Sequence, residues 1–323
     1  MQPDVSIIIA AFNAEATLAG AIRSALGQRE IAVEILVVND ASDDRTAEIA
    51  HSFLDASVKL IDLAKNRGPG GARNVGLDQA QGNWIAVLDS DDTMQPDRLV
   101  RMVERAKRDD AQAVVDNLFV AERDQARHEM MFSPPDLAKL GQLTLADFIR
   151  SNRIFKAKYN FGYMKPVFQR SFLEAHGLRY DENLRIGEDY LFLAAALAKG
   201  ARCAVEPQAG YVYNVCGGSI SRVLEMRHVE AMLAADAGFE QAYDLDSAAR
   251  QALRERSRSL RQAASFLSVV HHLKEKALLK AARIAVRDPA ALRYLRMPIG
   301  VRLRRMAAQL SWGNSQGHGE VQS

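Results

Sequence analysis

The chain has 323 residues, of which 48% are hydrophobic and 25% charged, and its formal net charge is +2 at pH 7; these values are typical of a soluble globular protein with a sizeable core. Its two cysteines, Cys203 and Cys216, are too few for a disulfide scaffold and fit a reducing cytosol. No apolar run approaches the ~20 residues that span a bilayer, and the first apolar run lacks the basic flank of a signal peptide, so we expect a cytoplasmic protein.

In chain order, the first half of the sequence alternates strand and helix patterns. Runs of β-branched and apolar residues predict strands at residues 5–11, 33–38, 58–63, 84–88 and 113–116. Helices are predicted at residues 15–28, from the capping groups of residues 42–46 to about residue 54, at 72–79 and at 96–108, with a glycine-rich turn at 68–71. This order predicts an α/β protein with a doubly wound, mostly parallel sheet and right-handed crossovers.

The second half divides into an irregular stretch and a helical one. Residues 121–218 are less regular and rich in aromatic residues, with a further strand at residues 211–214, and the sequence is helical from Leu224 almost to its end. We therefore expect an α/β domain at residues 1–222 and a helical, basic region at residues 223–323. Ligands of doubly wound sheets bind beyond the carboxyl ends of the strands, so candidate site residues should follow those strands.

The fourth predicted strand ends on a dense group of carboxylates, Asp89, Asp91 and Asp92, with Ser90 among them. Like charges a few ångströms apart repel one another and raise each other's pKa, so such a group needs compensation. A divalent cation such as Mg²⁺ or Mn²⁺ suits hard oxygen ligands. The alternative is a solvated acidic turn in which Asp92 caps the next helix. Taken alone, these residues leave both interpretations open.

Two common nucleotide-binding signatures are absent from the sequence. Residues 11–16 lack the glycine-rich turn that dinucleotide-binding proteins place after the first strand, and residues 68–71 lack the Gly-Lys-Ser/Thr ending of a P-loop. Asp40, which ends the second strand, could accept hydrogen bonds from a nucleobase or ribose, or could cap the following helix. Glu188 and Asp189 open an apolar helix, where acidic residues are favourable anyway; beside a metal–diphosphate site, such a carboxylate could instead act as a general base.

Five segments, in this order and spacing, resemble the family 2 glycosyltransferases, inverting enzymes of the GT-A fold that use nucleotide sugars. The segments are residues 5–13, 38–46, 66–76, 89–92 and 187–190, and the resemblance covers residues 4–220. One departure is Ala10, where many members have proline before the nucleotide pocket. The whole chain, with its basic tail, is similar to the succinoglycan-type exopolysaccharide glucosyltransferases of bacteria.

The resemblance implies a role for each matching residue. Phe12 would stack near the uracil, Asp40 would bind the uridine, and Asp89 would contact ribose or donor sugar. Asp91 would ligate Mn²⁺ or Mg²⁺ at the diphosphate, Asp189 would be the general base, and Glu188 would place the acceptor. The full set of residues implied to bind the nucleotide sugar is Ala11, Phe12, Asn13, Asp40, Arg67, Arg73, Asp89 and Ser90.

The function implied is transfer of a sugar, glucose by resemblance, from a UDP-sugar to a hydroxyl of a lipid-linked saccharide in exopolysaccharide biosynthesis. Tyr163 and Lys165 are candidates for acceptor contacts. Arg222 follows the glycine pair at residues 217–218 and could close over the diphosphate, or could belong to a surface linker. The alternatives are a membrane-associated nucleotide-sugar-binding scaffold subunit and a sugar-phosphate nucleotidyltransferase, which would want a glycine-rich basic loop after the first strand.

The basic residues concentrate near the C-terminus. Between Arg254 and Arg305 there are 14 Lys or Arg residues and 3 Asp or Glu residues. Helical spacing places the basic residues on one face and Leu273, Ala277, Ala281, Ile284 and Ala285 towards another, which predicts amphipathic helices. The lipid-linked acceptor that the resemblance implies favours an anionic membrane, at the inner face of the cell membrane, as their partner. The alternative is a solvated face packed against the α/β domain. Nucleic acid is not expected as a partner, because the predicted crevice is acidic.

Overall fold

The computed structural model describes residues 2–55, 57–122, 128–157, 159–215 and 224–295. Within these ranges the strands form a nine-stranded sheet, and its spatial order is β3-β2-β1-β4-β8-β6-β9-β5, with β7 paired to β6. The strands are β1 Val5–Ala11, β2 Val33–Asn39, β3 Val58–Asp62, β4 Trp84–Val87, β5 Thr93–Met94, β6 Ala113–Glu122, β7 Glu129–Met130, β8 Val167–Gln169 and β9 Cys203–Val215.

Helices cover both the first half of the chain and its C-terminal region. They are α1 Leu18–Leu26, α2 Thr46–His51, α3 Gly68–Gln79, α4 Arg98–Asp109, α5 Pro134–Leu140, α6 Leu145–Ser151, α7 Arg170–Ala175, α8 Glu188–Ala198, α9 Met226–Ala242, α10 Ser247–Lys274 and α11 Leu278–Arg287. Short 3-10 helices cover Phe161–Tyr163 and Pro289–Leu295.

The parallel half of the sheet is built around β1, which pairs with β2 on one side and β4 on the other. Ile7, Ile8 and Ile9 are fully buried, as expected for a central strand covered on both faces. Gly76 of α3 lies against this strand, and a Cβ there would come within 2.5 Å of the Ile8 Cγ2 atom. The predicted strands of this half are confirmed, and their carboxyl ends lie side by side.

The other half of the sheet contains pairings that the sequence did not reveal. The three-residue strand β8 runs antiparallel to both β4 and β6, whereas β6 and β9 form a long parallel pair. β6 has ten residues where four were predicted, because its polar Asp116 and Asn117 are paired inside the protein and do not end the strand. The predicted turn at residues 68–71 is also wrong, because these residues form the first turn of α3 with Pro69 at its start.

The first two C-terminal helices share the core of the α/β domain. α10 packs against α6 and α9, and Phe239 and Leu253 belong to the same buried cluster as the sheet residues. Arg153 pairs with Glu255 at 2.9 Å, which links the middle of the chain to α10. α11 packs on α10. In the described ranges, no helix combines the length and the apolar character that crossing a membrane requires. The division of the chain at residue 222 stays a prediction.

Candidate active site

The acidic residues after β4 form a compact group. One carboxylate oxygen each of Asp89, Asp91 and Asp92 lies within 4.8 Å of the others. Asp92 is 1% exposed, and its carboxylate accepts hydrogen bonds from the Tyr211 hydroxyl at 2.8 Å and from the Asn214 backbone N–H at 2.8 Å. Burial, and then the nearby Asp89 and Asp91, raise the pKa of Asp92 well above its ordinary value. Asp92 is therefore a structural anchor to β9, and it does not cap α4.

Arg73 of α3 is the centre of the charge network. Its Nη1 atom donates to Glu188 and to Asp189, each at 2.7 Å, and its Nη2 atom donates to Asp89 at 2.8 Å. The side chain is 5% exposed, and its guanidinium lies 5.4 Å from the ring centroid of Tyr180. One buried cation thus holds carboxylates from two distant segments of the chain at a single point.

Lys165 forms a second bridge across the same carboxylates. Its Nζ atom lies 2.6 Å from Asp189 Oδ2 and 2.7 Å from Asp89 Oδ2, and its side chain is 10% exposed. Burial alone would raise the pKa of Asp89, but Lys165 and Arg73 outweigh it and hold that pKa well below the ordinary range. Asp89 is therefore an anion at neutral pH, with both of its oxygens engaged.

Glu188 and Asp189 occupy the first turn of α8. Gly187 precedes them with φ of +92°, a conformation that favours glycine, and the free N–H groups of the helix start stabilise the two negative charges. Glu188 is buried, and burial together with Asp189 raises its pKa despite Arg73. The Asp189 side chain keeps 21% of its surface exposed. Of the two carboxylates, Asp189 is the one that an incoming hydroxyl can reach.

The residues predicted to line a nucleotide pocket lie at the adjoining ends of β1 and β2. Phe12 is 48% exposed, whereas the Ala11 side chain is buried in the core. Asn13 has φ of +48°, and its side-chain oxygen accepts the Asp43 backbone N–H at 2.9 Å. This hydrogen bond ties the ends of the two strands together and leaves the Phe12 ring at the surface. The role of these residues in nucleotide binding stays a prediction.

Asp40 has a defined structural role. Its carboxylate accepts the backbone N–H groups of Arg67 at 2.7 Å and of Gly68 at 2.8 Å, so it caps the start of α3. Burial raises its pKa despite these hydrogen bonds and the nearby arginines. Arg67 itself turns to Glu182, with the shorter contact at 2.6 Å. Asp40 thus caps α3 and not the helix that follows it in the sequence, as the alternative expected, and uridine binding stays a prediction.

A buried ion pair between Arg98 and Asp116 supports the backbone at Lys165, and the sequence did not reveal it. Arg98 donates to both oxygens of Asp116 at 2.9 Å and to the backbone carbonyl of Lys165 at 2.5 Å. Gly210 allows this approach, since a Cβ there would lie 2.6 Å from the Arg98 Cγ atom. Tyr211 continues the support, because its hydroxyl accepts the Asp89 backbone N–H at 3.1 Å. A charged residue inside an apolar strand, Asp116, was the one signal available in the sequence.

The donor set fits a divalent cation. Within the described ranges, the Asp91 carboxylate has no side-chain donor, whereas Asp89 and Asp92 have both oxygens engaged. Burial, and then the charge of Asp89, raise the pKa of Asp91, although the charge of Lys165 opposes the shift. Mg²⁺ and Mn²⁺ both take such oxygen ligands. Asp91 is therefore the carboxylate best placed to ligate a metal.

The remaining candidates lie at the edge of this cluster or outside the described residues. Ser90 is half-buried beside Asp91. Tyr163 is half-buried and packs edge-on to Tyr159 and Tyr213, with ring centroids 5.6 Å away in both cases. Burial, and then Tyr159, raise the pKa of Tyr163. Arg222 lies outside the described residues.

Comparison with known proteins points to one family. The protein-family model described as Glycosyl transferase family 2 matches residues 6–172 of the chain. The chain is 54% identical over 307 residues to the succinoglycan biosynthesis protein ExoO of Rhizobium meliloti, an alignment that covers 95% of this chain and 88% of the relative.

A more distant relative and a solved structure agree with this match. The chain is 28% identical over 218 residues to the UDP-Glc:alpha-D-GlcNAc-diphosphoundecaprenol beta-1,3-glucosyltransferase WfaP of Escherichia coli, covering 67% of this chain and 79% of WfaP. The crystal structure of S. aureus TarS 1-349 in complex with UDP-GlcNAc aligns with a TM-score of 0.63 at 18% identity and covers 88% of this chain and 92% of TarS. That likeness shows the fold alone, and it confirms the predicted α/β, GT-A-like architecture with its helical C-terminal region.

Proposed function

The chain belongs to glycosyltransferase family 2, and from this premise we propose that it transfers glucose from UDP-glucose to a hydroxyl of a lipid-linked saccharide, with inversion at the anomeric carbon. The relative ExoO acts in succinoglycan biosynthesis by its name, and WfaP is named for UDP-glucose and a diphosphoundecaprenol-linked sugar. These names support an exopolysaccharide pathway, a UDP-sugar donor and a lipid-linked acceptor for this chain.

One observation carries the proposal: Arg73 and Lys165 hold Asp189 and Asp89 together, and the Asp91 carboxylate lies within 4.8 Å of that of Asp89. A glycosyl transfer from a nucleotide sugar needs a base for the acceptor and compensation for a leaving diphosphate. Here the candidate base shares two cations with Asp89, and the candidate metal ligand lies beside Asp89 in sequence and in space. The arrangement therefore provides both requirements at one point of the crevice.

The protein's own residues account for the proton and for the geometry. The acceptor hydroxyl gives its proton to an oxygen of Asp189 as its own oxygen bonds to the anomeric carbon and the bond from that carbon to the diphosphate breaks. Each oxygen of Asp189 accepts one hydrogen bond from a cation, Oδ1 from Arg73 and Oδ2 from Lys165, and each keeps a second lone pair that can take the proton. Arg73 keeps the carboxylate in place through the reaction, and the buried Glu188 acts through its own hydrogen bond from Arg73.

We propose Mn²⁺ or Mg²⁺ as the cofactor, held by Asp91. When bound, the ion supplies Lewis-acid compensation for the negative charge of the diphosphate. The basic groups Arg73 and Lys165 lie within the same cluster, and Lys165 has two carboxylate partners where Arg73 has three, on a flexible four-carbon stem. A diphosphate that attracts Lys165 would also free Asp189. Donor binding would thereby prepare the base.

The proposed place of action is the cytoplasmic face of an anionic membrane, to which the protein associates peripherally. A lipid-linked acceptor is confined to the membrane surface, so an enzyme that lies on this surface meets its acceptor more often. The exposed basic residues of α11, Lys280, Arg283 and Arg287, support this location.

The test is a transfer assay with UDP-glucose and a lipid-linked saccharide, run beside a thermal-shift panel of nucleotides with and without Mn²⁺. We expect Asp189→Asn to lower turnover by about 10²–10⁴-fold, as for loss of a positioned base, while UDP with Mn²⁺ still stabilises the variant. Asp91→Ala should lose the metal-dependent stabilisation. Asp78→Asn, a carboxylate in an exposed ion pair, is the matched control and should behave like the wild type.

Three results would contradict the proposal. Wild-type turnover in Asp189→Asn would remove this residue from the role of base. Nucleotide binding without any transfer would favour the scaffold subunit. Product formation that depends on pyrophosphate would identify a nucleotidyltransferase.

A further inference from the structure

The solvent-facing side of helix α11, its outer face, carries a stripe of apolar residues. Its inner face contacts α10, and Ala281 is 4% exposed there. On the outer face, Leu278 is 65% exposed, Val286 is 81% exposed and Leu279 is 89% exposed. Large apolar residues this open to solvent on one short helix are uncommon in a soluble protein and mark an interaction surface.

A basic stripe runs beside these apolar residues. At 100° per residue, Leu278, Leu279 and Val286 fall within one sector of about 100°, and Lys280, Arg283 and Arg287 fill the adjoining sector. All three basic residues are exposed, and in the described part of the chain none of them has an acidic partner within 4.0 Å. The outer face therefore combines an apolar stripe with cations that no described residue neutralises.

This division differs from the one expected from the sequence. The sequence placed Leu273, Ala277, Ala281, Ile284 and Ala285 on the apolar face. In the structure Ala281 is buried and Ala277, Ile284 and Ala285 are half-buried, whereas Leu273 is exposed at the end of α10. The residues open to a partner are Leu278, Leu279 and Val286. The basic residues predicted at 302–305 lie outside the described residues.

We propose that the outer face of α11 docks on an anionic lipid bilayer, with Leu278, Leu279 and Val286 among the acyl chains and Lys280, Arg283 and Arg287 at the lipid phosphates. A helix with this pattern lies in the plane of the interface, where apolar burial and attraction to anionic head groups act together. The charge of the face selects the occupant: a protein surface would need a matching acidic patch, whereas the bilayer surface supplies unpaired negative charge throughout. The further statement that the enzyme meets its lipid-linked acceptor at this surface rests on the proposed function.

The test is flotation of the full chain with vesicles of phosphatidylcholine alone or with 30 mol% phosphatidylglycerol. The apolar variant Leu278→Ser/Leu279→Ser/Val286→Ser should partition at least about tenfold less onto the anionic vesicles. The basic variant Lys280→Gln/Arg283→Gln/Arg287→Gln should lose about fivefold per charge, and its residual binding should no longer respond to salt. The control Leu54→Ser/Arg45→Gln/Arg227→Gln removes an exposed leucine and exposed arginines elsewhere and should float like the wild type.

A second readout separates this surface from the active site. Transfer to a short-chain, water-soluble acceptor analogue should be unchanged in the apolar and basic variants, and Asp189→Asn should float normally while losing transfer. Equal flotation of the wild type and both variants would overturn the proposal. So would a wild-type dimer that the apolar variant converts to a monomer without any change in flotation, because a second copy of the chain would then cover this face.

Discussion

At the scale of single residues, the site depends on Arg73 more than on any one carboxylate. Its guanidinium is almost completely buried and contacts Asp89, Glu188 and Asp189. Removing one partner of a buried ion pair leaves an uncompensated charge, which costs about 3–5 kcal/mol. Replacing Arg73 alone would remove the cation that contacts all three of these carboxylates and would leave Lys165, which contacts two of them.

We therefore expect Arg73→Met to lower the free energy of unfolding by at least about 3 kcal/mol. The measurement is urea denaturation followed by far-UV circular dichroism. Arg179→Met is the matched control, since Arg179 pairs with Asp78 at the surface and such pairs contribute about 0–1 kcal/mol. Equal stability of the two variants would show that the carboxylates are compensated by other means.

The resemblance implied that Arg73 helps to order the acidic groups, as it does in the structure, but it did not identify the bridge that Lys165 forms. Asp89, Asp91 and Asp189 stand out because carboxylates there follow a buried strand or open an apolar helix. Lys165 could be named only as an acceptor contact, because it lies in an irregular stretch where no periodicity fixes its direction. Its bridge between Asp89 and Asp189 arises from strand β8, whose three residues are too few to give a strand pattern.

At the scale of elements, a poorly satisfied ion pair links α8 to the C-terminal helices α9 and α10. Arg256 of α10 lies 3.6 Å from Asp236 of α9, and both side chains are nearly fully buried. The Arg256 guanidinium lies 3.9 Å from the ring centroid of Tyr190, which follows Asp189 on α8. Within the described ranges, the Asp236 Oδ2 atom and the Arg256 Nε and Nη1 atoms have no hydrogen-bond partner. The pair fixes where these helices meet, without strong stabilisation.

Replacing the whole pair should therefore cost less than removing half of it. We expect Asp236→Leu to destabilise the protein by about 3–5 kcal/mol, and Asp236→Leu/Arg256→Met to be neutral or stabilising relative to the wild type. Denaturation of both variants and of Arg256→Met gives the coupling energy between the two positions. If the double variant lost as much free energy of unfolding as the two single variants together, this view of the pair would be contradicted.

The same carboxylate predicts a dependence of stability on pH. Burial raises the pKa of Asp236 from 3.8 to about 6, although Arg256 opposes the shift. The folded state therefore binds a proton more tightly than the unfolded state, and the stability this provides is present below about pH 4 and lost as pH rises through 6. Between pH 4 and 7 the free energy of unfolding of the wild type should fall by about 2 kcal/mol relative to that of Asp236→Asn, which cannot ionise at this position.

Urea midpoints measured at half-unit intervals of pH test this expectation. Asp109→Asn is the comparison of opposite sign: burial slightly raises the pKa of Asp109, but Arg105 outweighs it and lowers the pKa, so the stability from this group increases as pH rises from the acid side. A difference between Asp236→Asn and wild type that stays constant from pH 4 to 7 would show that Asp236 titrates normally.

At the scale of the whole molecule, the C-terminal helices differ in how much the fold needs them. α9 and α10 contribute Phe239, Ala249 and Leu253 to the main core, whereas α11 contributes little buried surface beyond Ala281. A chain that ends at residue 275 should therefore unfold cooperatively, with a Tm only a few degrees lower and an intact response to UDP with Mn²⁺. A chain that ends at residue 224 should fail to fold, because it leaves the core uncovered.

Thermal unfolding followed by circular dichroism, with and without nucleotide, distinguishes the two truncated chains. Cooperative unfolding of the shorter chain would show that the α/β domain is independent and would support the predicted boundary at residue 222. Loss of folding in the chain ending at 275 would show that α11 has a larger structural role than its burial indicates.

The overall architecture was also predictable only in part. Alternating strands and helices in the first half identified the parallel half of the sheet and the edge where the site lies, because each strand there carries a continuous apolar pattern. The antiparallel additions β5, β7 and β8 have two or three residues each, and only tertiary pairing defines them. The position of α10 against α6 likewise depends on contacts between segments far apart in sequence.

The network around Arg73 also constrains how the sequence can vary over time. Hydrogen bonds and ion pairs join four residues from different segments: Arg73 in α3, Asp89 after β4, Lys165 before β8 and Asp189 in α8. Because contacting residues in one network have non-additive effects, a replacement that is harmful alone can be tolerated after a compensating change of charge at another of these positions. The order in which substitutions arise therefore matters here, and scans that vary one position at a time will overstate how indispensable each residue is.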